Sequence, residues 1–174
     1  MTNDPFWRLP DVPALEVRSP DFEDGRPLPQ WARAHGAGGE DLSPELRWTG
    51  APHGTLSYAV RAYDPDAPTV SGFWHWAVYD LPAATDHLAR GAGTPASGLL
   101  PAGAVTVANE YRSEQYAGAA PPAGHGEHRY VFIVSALDVA HLDVPAGATP
   151  AVLGFMLRTH ELARGATTGT SITD

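Results

Sequence analysis

The chain has 174 residues, a formal charge of −9 and no cysteine. Its length fits one domain, and 43% hydrophobic with 18% charged residues is the composition of a folded protein with a core. The 11 basic residues form no cluster, which argues against a nucleic-acid-binding face or a polybasic membrane patch. Without cysteine, disulfides and thiolate chemistry are excluded.

The first part of the chain predicts short elements separated by turns. The 18 glycines and 17 prolines follow no repeat, which indicates many turns and disfavours a bundle of long helices. Residues 1–14 are rich in proline and predict an extended lead-in packed on the surface. Apolar and polar residues alternate in Leu15–Ser19, which predicts a strand. The turn-rich stretch 20–46 leaves room for one short strand near Gln30–Ala34.

The middle of the chain contains the strongest strand patterns. Leu56–Tyr63 and His75–Tyr79 are rich in β-branched and aromatic residues, and Ala104–Ala108 predicts a shorter strand after a long loop at 83–103. The clearest strand is His128–Leu137, whose nearly continuous apolar run indicates a central position buried on both faces.

The last quarter of the chain predicts one helix. Thr149 suits the N-cap, and Pro150 suits the first helical position, where its missing N–H has no partner to lose. Apolar residues follow at helical spacing, and Gly165 is able to close the helix, so that residues 166–174 are expected to fray. We therefore predict a single domain over 1–174, mainly β, built as an antiparallel sandwich with short peripheral helices and a C-terminal helix.

No targeting or membrane segment is visible in the sequence. The N-terminus has no basic region followed by an apolar run, and no apolar stretch approaches the roughly 18 residues of a transmembrane helix. We expect a soluble protein of the cytoplasm, where a chain without cysteine also fits the reducing conditions.

Two segments place polar side chains at the ends of predicted strands. Asp64 and Asp66 lie in the sequence DPDAP directly after a strand, and its two prolines make the loop stiff. The structural alternative is a turn in which these carboxylates cap backbone amides. His75 lies between two tryptophans in GFWHW, where its pKa would respond to a neighbouring carboxylate. Its alternative is a core histidine bonded to the backbone.

A third segment leads into the predicted central strand. In the sequence PPAGHGEHRY, His128 and Tyr130 are two residues apart and therefore share one face of the strand. A histidine, a phenol and loop amides together are able to bind an anion. Alternatively, Tyr130 is a core aromatic residue and the loop has no function.

The combination of these segments in this order resembles the phosphatidylethanolamine-binding protein family, most closely its bacterial and archaeal branch, which is similar to the Raf kinase inhibitor protein of animals. The motif LSPELRW at Leu42–Trp48 and the late segment Pro150–Ala163 add to the resemblance, which covers roughly residues 15 to 165. It implies an antiparallel β-sandwich with a small cavity for phosphate-like anions or a phospholipid headgroup. The cavity residues that it implies are Asp64, Asp66, His75, Pro122, His128 and Tyr130.

The resemblance also implies details of the cavity. It suggests a cis bond between Ala67 and Pro68, and its frequent glycine pair is replaced here by Ala119-Ala120, which restricts the backbone. We expect Asp64 to raise the pKa of His75, and we expect His125 to face solvent. A few charge-assisted hydrogen bonds predict micromolar to millimolar affinity.

The residues leave several function classes open. The favoured one is a regulatory or inhibitor-type module that binds a small anion and acts on a kinase, a protease or another signalling partner, without catalytic residues or a cofactor. The alternative is an enzyme that uses the Asp and His groups for acid/base isomerisation or cyclisation. A zinc site has no recognisable ligand spacing, and a serine hydrolase lacks its G-x-S-x-G turn. A homodimer is plausible.

Overall fold

The computed structural model describes residues 4–7 and 9–174, which fold into nine β-strands, one α-helix and two isolated 3₁₀ turns. The strands are β1 Glu16–Arg18, β2 Arg26–Pro27, β3 Leu46–Thr49, β4 Ser57–Asp64, β5 Phe73–Pro82, β6 His87–Leu88, β7 Val105–Thr106, β8 His128–Leu137 and β9 Glu161–Ser171. The helix, α1, is Pro150–Leu157, and the 3₁₀ turns are Gln30–Ala32 and His35–Ala37.

Six strands form the main sheet, in the order β2-β9-β8-β4-β5-β7. The central pairs β9-β8, β8-β4 and β4-β5 are antiparallel, whereas β2 runs parallel to β9 at the edge. The apolar run His128–Leu137 forms β8, which is buried along almost its whole length between β9 and β4. Its predicted bounds and central position are confirmed.

A second, three-stranded sheet in the order β1-β3-β6 lies against the main sheet. Side chains of both sheets share one core: Trp48 of β3 contacts Tyr58 of β4 with ring centroids 5.4 Å apart, and Trp76 and Phe132 lie in the same buried cluster. The predicted mainly β, sandwich-like architecture is therefore confirmed. The sequence reading missed β3, because its four residues follow a long turn-rich stretch.

The predicted C-terminal helix is correct only in its first half. Thr149 is the N-cap and accepts a hydrogen bond from the Val152 amide at 3.3 Å, but the helix ends at Leu157. The chain then turns into β9, which pairs with β8 from Glu161 to Ser171. The expectation of a frayed tail at 166–174 is wrong for residues 166–171, because this run rich in threonine forms the neighbour of the central strand, whereas residues 172–174 follow the strand without regular structure.

The structure also differs from three smaller expectations. Gln30–Ala32 is a 3₁₀ turn rather than a strand, although Arg33 forms a single bridge with Ala119. The described residues contain no cis peptide bond, so Ala67–Pro68 has the trans form that most X–Pro bonds prefer. Of the predicted extended lead-in at 1–14, residues 1–3 and 8 lie outside the described residues; residues 5–7 form a turn, and Ala14 bridges to Arg164.

The described part of the chain contains no helix that is both long and apolar enough to cross a membrane.

Candidate functional site

The candidate site lies at one end of three neighbouring strands of the main sheet, β5, β4 and β8. Because β4 is antiparallel to both β5 and β8, the end of β4 at Asp64 lies beside the starts of β5 at Phe73 and β8 at His128. A cavity of about 220 Å³ opens between them. The DPDAP loop and the loop before β8 form its walls.

Five of the six site residues implied by the sequence line this cavity. They are joined there by further residues of the surrounding loops and by two aromatic side chains. The lining residues are Asp64, Ala67, Pro68, Thr69, Phe73, His75, Tyr111, Ala120, Pro122, His128 and Tyr130. The sixth expected residue, Asp66, is not among them.

Asp64 is buried and both of its carboxylate oxygens are used within the protein. One oxygen accepts a hydrogen bond from the Asp66 amide at 2.8 Å, which closes the turn after β4. The other is 2.7 Å from Nδ1 of His128, in a pair whose side chains are only 4% and 2% exposed. The carboxylate therefore orients His128 as well as capping the turn, so both interpretations of the DPDAP motif apply to this residue.

Asp66 points away from the cavity and binds Arg129. Its carboxylate accepts from the Arg129 amide at 3.0 Å and from Nε and Nη2 of the same residue at 2.8 and 2.7 Å. These hydrogen bonds hold the pKa of Asp66 below its ordinary value. Asp66 therefore fixes the DPDAP loop to the start of β8, and it does not line the cavity as the sequence had implied.

His75 is buried and its Nδ1 is 2.7 Å from the Ala117 carbonyl oxygen. A carbonyl oxygen is only an acceptor, so Nδ1 carries the proton and the neutral ring has its lone pair on Nε2. Burial lowers the pKa of His75, and the nearby Asp64 charge offsets this only in part. Asp64 raises this pKa as expected, but the net shift is downward, because desolvation dominates at His75 and the carboxylate bonds to His128 instead.

His128 has a partner at each ring nitrogen. Nδ1 faces Asp64, and Nε2 is 2.7 Å from Nδ1 of His125. The two imidazole rings meet edge to face with centroids 4.9 Å apart. His125 is exposed, but it contacts His128 as well as solvent, so the expectation of solvent alone was incomplete.

Aromatic side chains form one wall of the cavity. Ring centroids are 4.9 Å apart for Tyr111 and Phe73, 4.9 Å for Phe73 and His75, and 5.0 Å for His75 and Tyr130. Burial raises the pKa of Tyr130, so its phenol stays a neutral hydroxyl. Phe73 could have been predicted, since it lies two residues before His75 on one strand face; Tyr111, in a loop, gives no such signal.

The alanine pair in place of glycine does not distort the cavity. Neither Ala119 nor Ala120 has a positive φ, and Ala119 is buried where its amide donates to the Ala32 carbonyl at 3.2 Å. The backbone here needs no glycine, and Ala120 lines the cavity directly.

A larger cavity of about 500 Å³ lies elsewhere, between the loop at 92–98 and β7. Its lining includes one acidic side chain, Glu114, and no histidine or tyrosine. The smaller cavity is the better candidate site, because convergent polar and titratable groups are more informative about binding than volume.

The donor and acceptor groups of the cavity suit a small ligand that carries an exchangeable proton. The Tyr130 hydroxyl is able to donate or accept, and neutral His75 accepts at Nε2. Among the described residues, no group of three histidine, aspartate or glutamate side chains is arranged to hold a metal ion. The two ring nitrogens of His128 already face Asp64 and His125.

The amino-acid sequence of this chain is similar to the sequences of one protein family. The family described as phosphatidylethanolamine-binding protein matches residues 18–172. YbhB of Escherichia coli is 44% identical over 158 residues, covering 88% of this chain and 98% of that protein. LppC of Mycobacterium tuberculosis, provisionally named a lipoprotein, is 38% identical over 149 residues, 85% of this chain and 67% of LppC.

A solved structure agrees with the sequence comparison. The crystal structure of E. coli YbcL, described as a new member of the mammalian PEBP family, superposes with a TM-score of 0.87 at 36% identity, over 92% of this chain and 99% of YbcL. The family match at residues 18–172 spans all six strands of the main sheet and the residues that line the cavity. The chain belongs to the phosphatidylethanolamine-binding protein family.

Proposed function

We propose that the cavity binds a small tetrahedral anion, such as phosphate or the phosphoethanolamine headgroup. The observation that carries this proposal is that His75, His128 and Tyr130 converge around one small cavity at the strand ends of the main sheet. The volume of about 220 Å³ suits a headgroup better than a drug-sized molecule, for which sites of roughly 300–1,000 Å³ are usual.

The protonation state of the cavity favours particular forms of the anion. A neutral His75 offers an acceptor at Nε2, so a phosphate monoester that keeps one proton is able to donate to it. The buried Asp64 carboxylate disfavours a bare, highly charged anion in the same space. The proposed ligand is therefore a phosphate monoester monoanion or a zwitterion such as O-phosphoethanolamine.

An NMR titration tests the proposed ligand class. We expect phosphate and O-phosphoethanolamine to give saturable shifts at His75 and Tyr130, with micromolar to millimolar affinity. His75→Ala removes one wall of the cavity and the Nε2 acceptor, and it should weaken binding at least about ten-fold, the effect of losing one good hydrogen bond. The matched control is His53→Ala, since His53 is exposed at the opposite end of β4.

If no residue around the cavity shifts at tens of millimolar of either ligand, the proposed function is wrong. Shifts that persist unchanged in His75→Ala would put the binding site elsewhere on the surface.

We also propose that the protein is a regulatory or inhibitor-type module for a kinase, protease or signalling partner, rather than an enzyme. Support comes from His128, whose two nitrogens are both engaged inside the protein and so are not poised to move a substrate proton. We expect the ³¹P spectrum of O-phosphoethanolamine to stay unchanged over days with the protein. A new phosphorus signal that depends on His75 would favour the enzyme alternative.

A location in the cytoplasm is a further part of the proposal. The absence of cysteine suits a reducing compartment, whereas the provisional lipoprotein name of LppC points to a different location for that relative. Fractionation of cells that express the full gene should find the protein with cytoplasmic markers. Recovery with the membrane fraction would contradict this part of the proposal.

A further inference from the structure

A chain of three hydrogen-bonded side chains leads from the cavity wall to the surface. Asp64 and His128 are 2.7 Å apart and buried, and His128 and His125 are also 2.7 Å apart. His125 is the exposed end of this chain. Asp64 and His128 line the cavity, so any charge on the chain acts on a bound anion.

The loop before β8 is built so that His125 returns to His128. Gly124 and Gly126 flank the histidine with φ of +71° and +94°, values that side chains other than glycine rarely adopt. The Gly124 amide donates to the Thr173 carbonyl at 3.2 Å, and the His125 amide donates to the Pro122 carbonyl at 3.1 Å. The contact between the histidines is thus held by the backbone on both sides.

The hydrogen bonds among Asp64, His128 and His125 determine which ring nitrogens carry a proton. The Asp64 carboxylate accepts, so Nδ1 of His128 carries a proton, and in a neutral ring Nε2 of His128 is then an acceptor. It receives the Nδ1 proton of His125, which leaves the lone pair of His125 on Nε2. This lone pair belongs to an exposed side chain, so a positive charge on His125 would be hydrated by water.

Asp64 is the one carboxylate among the residues that line the cavity. Asp66 is neutralised by its hydrogen bonds to Arg129, and Tyr130 keeps its proton. With neutral histidines, the lining therefore carries the single negative charge of Asp64, which opposes an anion. The charged and titratable groups around these three side chains are Asp64, Asp66, His75, Tyr111, Arg129 and Tyr130, and Arg33 and Asp41 act electrostatically on Tyr130 and His75.

We infer that His125 is a further residue of the anion site, and that it holds the proton that the cavity takes up when an anion binds. This inference rests on the proposed function. A proton on His125 balances the Asp64 charge through His128, and it does so without burying a cation. Binding and proton uptake are then linked, so anion affinity rises as the pH falls.

Calorimetry with sulfate tests this role. Sulfate has the tetrahedral shape of phosphate but brings no proton of its own and does not titrate between about pH 5 and 8. It therefore binds beside the Asp64 carboxylate only together with a proton that the protein takes up. Titrations at pH 7 in two buffers with different ionisation enthalpies give the number of protons bound. The variant is His125→Gln, whose amide is still able to donate to Nε2 of His128 but does not titrate.

We expect the wild type to take up protons on binding sulfate, and His125→Gln to take up less than half as many. Its affinity should be about three- to ten-fold weaker near pH 6, the effect of one unit charge over a few ångströms near the surface, and equal to the wild type near about pH 8.5. The control His53→Gln changes an exposed histidine away from the site and should match the wild type.

Proton uptake that is unchanged in His125→Gln would put the proton on another group, such as His75, and overturn the role of His125 while the proposed function stands. A lack of sulfate, phosphate and O-phosphoethanolamine binding in the wild type would overturn the proposed function and this inference with it.

Discussion

His75 and Asp64 line the same cavity, yet they are not partners. Asp64 binds His128, while His75 donates to a backbone carbonyl and is buried among aromatic rings. Desolvation therefore decides the charge of His75, and the carboxylate acts on it only over a longer distance. His75 therefore remains neutral although the Asp64 carboxylate lines the same cavity.

The lowered pKa of His75 predicts a pH dependence of stability. Because the folded pKa is below the ordinary value of 6.5, the unfolded chain binds more protons in acid. The stability that comes from neutral His75 is present above about pH 6.5 and is lost as the pH falls through the lower folded pKa. In urea unfolding at pH 7.5 and 5.5, His75→Gln should lose less free energy of unfolding on acidification than the wild type. An equal loss in both proteins would contradict the lowered pKa.

Replacing the buried carboxylate should destabilise the fold. Asp64→Asn puts an NH₂ group where one oxygen accepts a hydrogen bond, so either the Asp66 amide or Nδ1 of His128 is left facing a donor. We expect a loss of about 1–3 kcal/mol of unfolding free energy in urea, the usual effect of leaving a buried polar group unpaired. The control Asp143→Asn changes an exposed carboxylate and should be within about 0.5 kcal/mol of the wild type. Equal stability of the two variants would mean that the Asp64 bonds contribute little.

At the scale of elements, local sequence patterns were sufficient to predict where α1 begins but not where it ends. Thr149 and Pro150 mark the start of α1 through short-range effects, and both were predictable. The end of the helix was not, since apolar residues at helical spacing continue past Leu157 into the start of β9. The pairing of β9 with β8 is a long-range contact, and it overrides that local pattern.

Gly165 is another residue whose structural role depends on long-range contacts, and it gives a further stability test. The sequence suggested a helix cap, whereas the residue lies within β9, where an added Cβ would come 2.2 Å from the Leu15 carbonyl oxygen. Gly165→Ala should therefore destabilise the protein by about 1–3 kcal/mol, as overpacking does, in thermal or urea unfolding. The control is Gly36→Ala, where nothing lies within 4 Å of the added Cβ and a change between zero and a gain of about 1 kcal/mol is expected. Equal effects would argue against this packing of β9 on the segment at Leu15.

The candidate site was predictable in its residues but not in its pairings. Sequence order and the family resemblance pointed to Asp64, His75, His128 and Tyr130, which share the cavity. Neither could assign Asp66 to Arg129 or connect His125 with His128, because those contacts depend on how two loops meet in space. Hydrogen-bond partners at a loop junction are set by the tertiary fold.

At the scale of the whole molecule, an acidic protein presents a candidate anion site. The net charge of −9 gives a long-range repulsion that salt screens, whereas the cavity groups act over a few ångströms. Selectivity must therefore come from local hydrogen bonds and protonation. The β-rich scaffold supplies the rigidity for this, because the site lies at the ends of the two innermost strands, β4 and β8.

The most direct test of a headgroup site is a crystal structure of the protein with O-phosphoethanolamine at a pH near 6. We expect a phosphate group in the cavity within hydrogen-bond distance of His75 Nε2 and the Tyr130 hydroxyl, with His125 still against His128. An empty cavity at saturating ligand, or a phosphate bound only elsewhere on the surface, would show that the cavity is not the headgroup site.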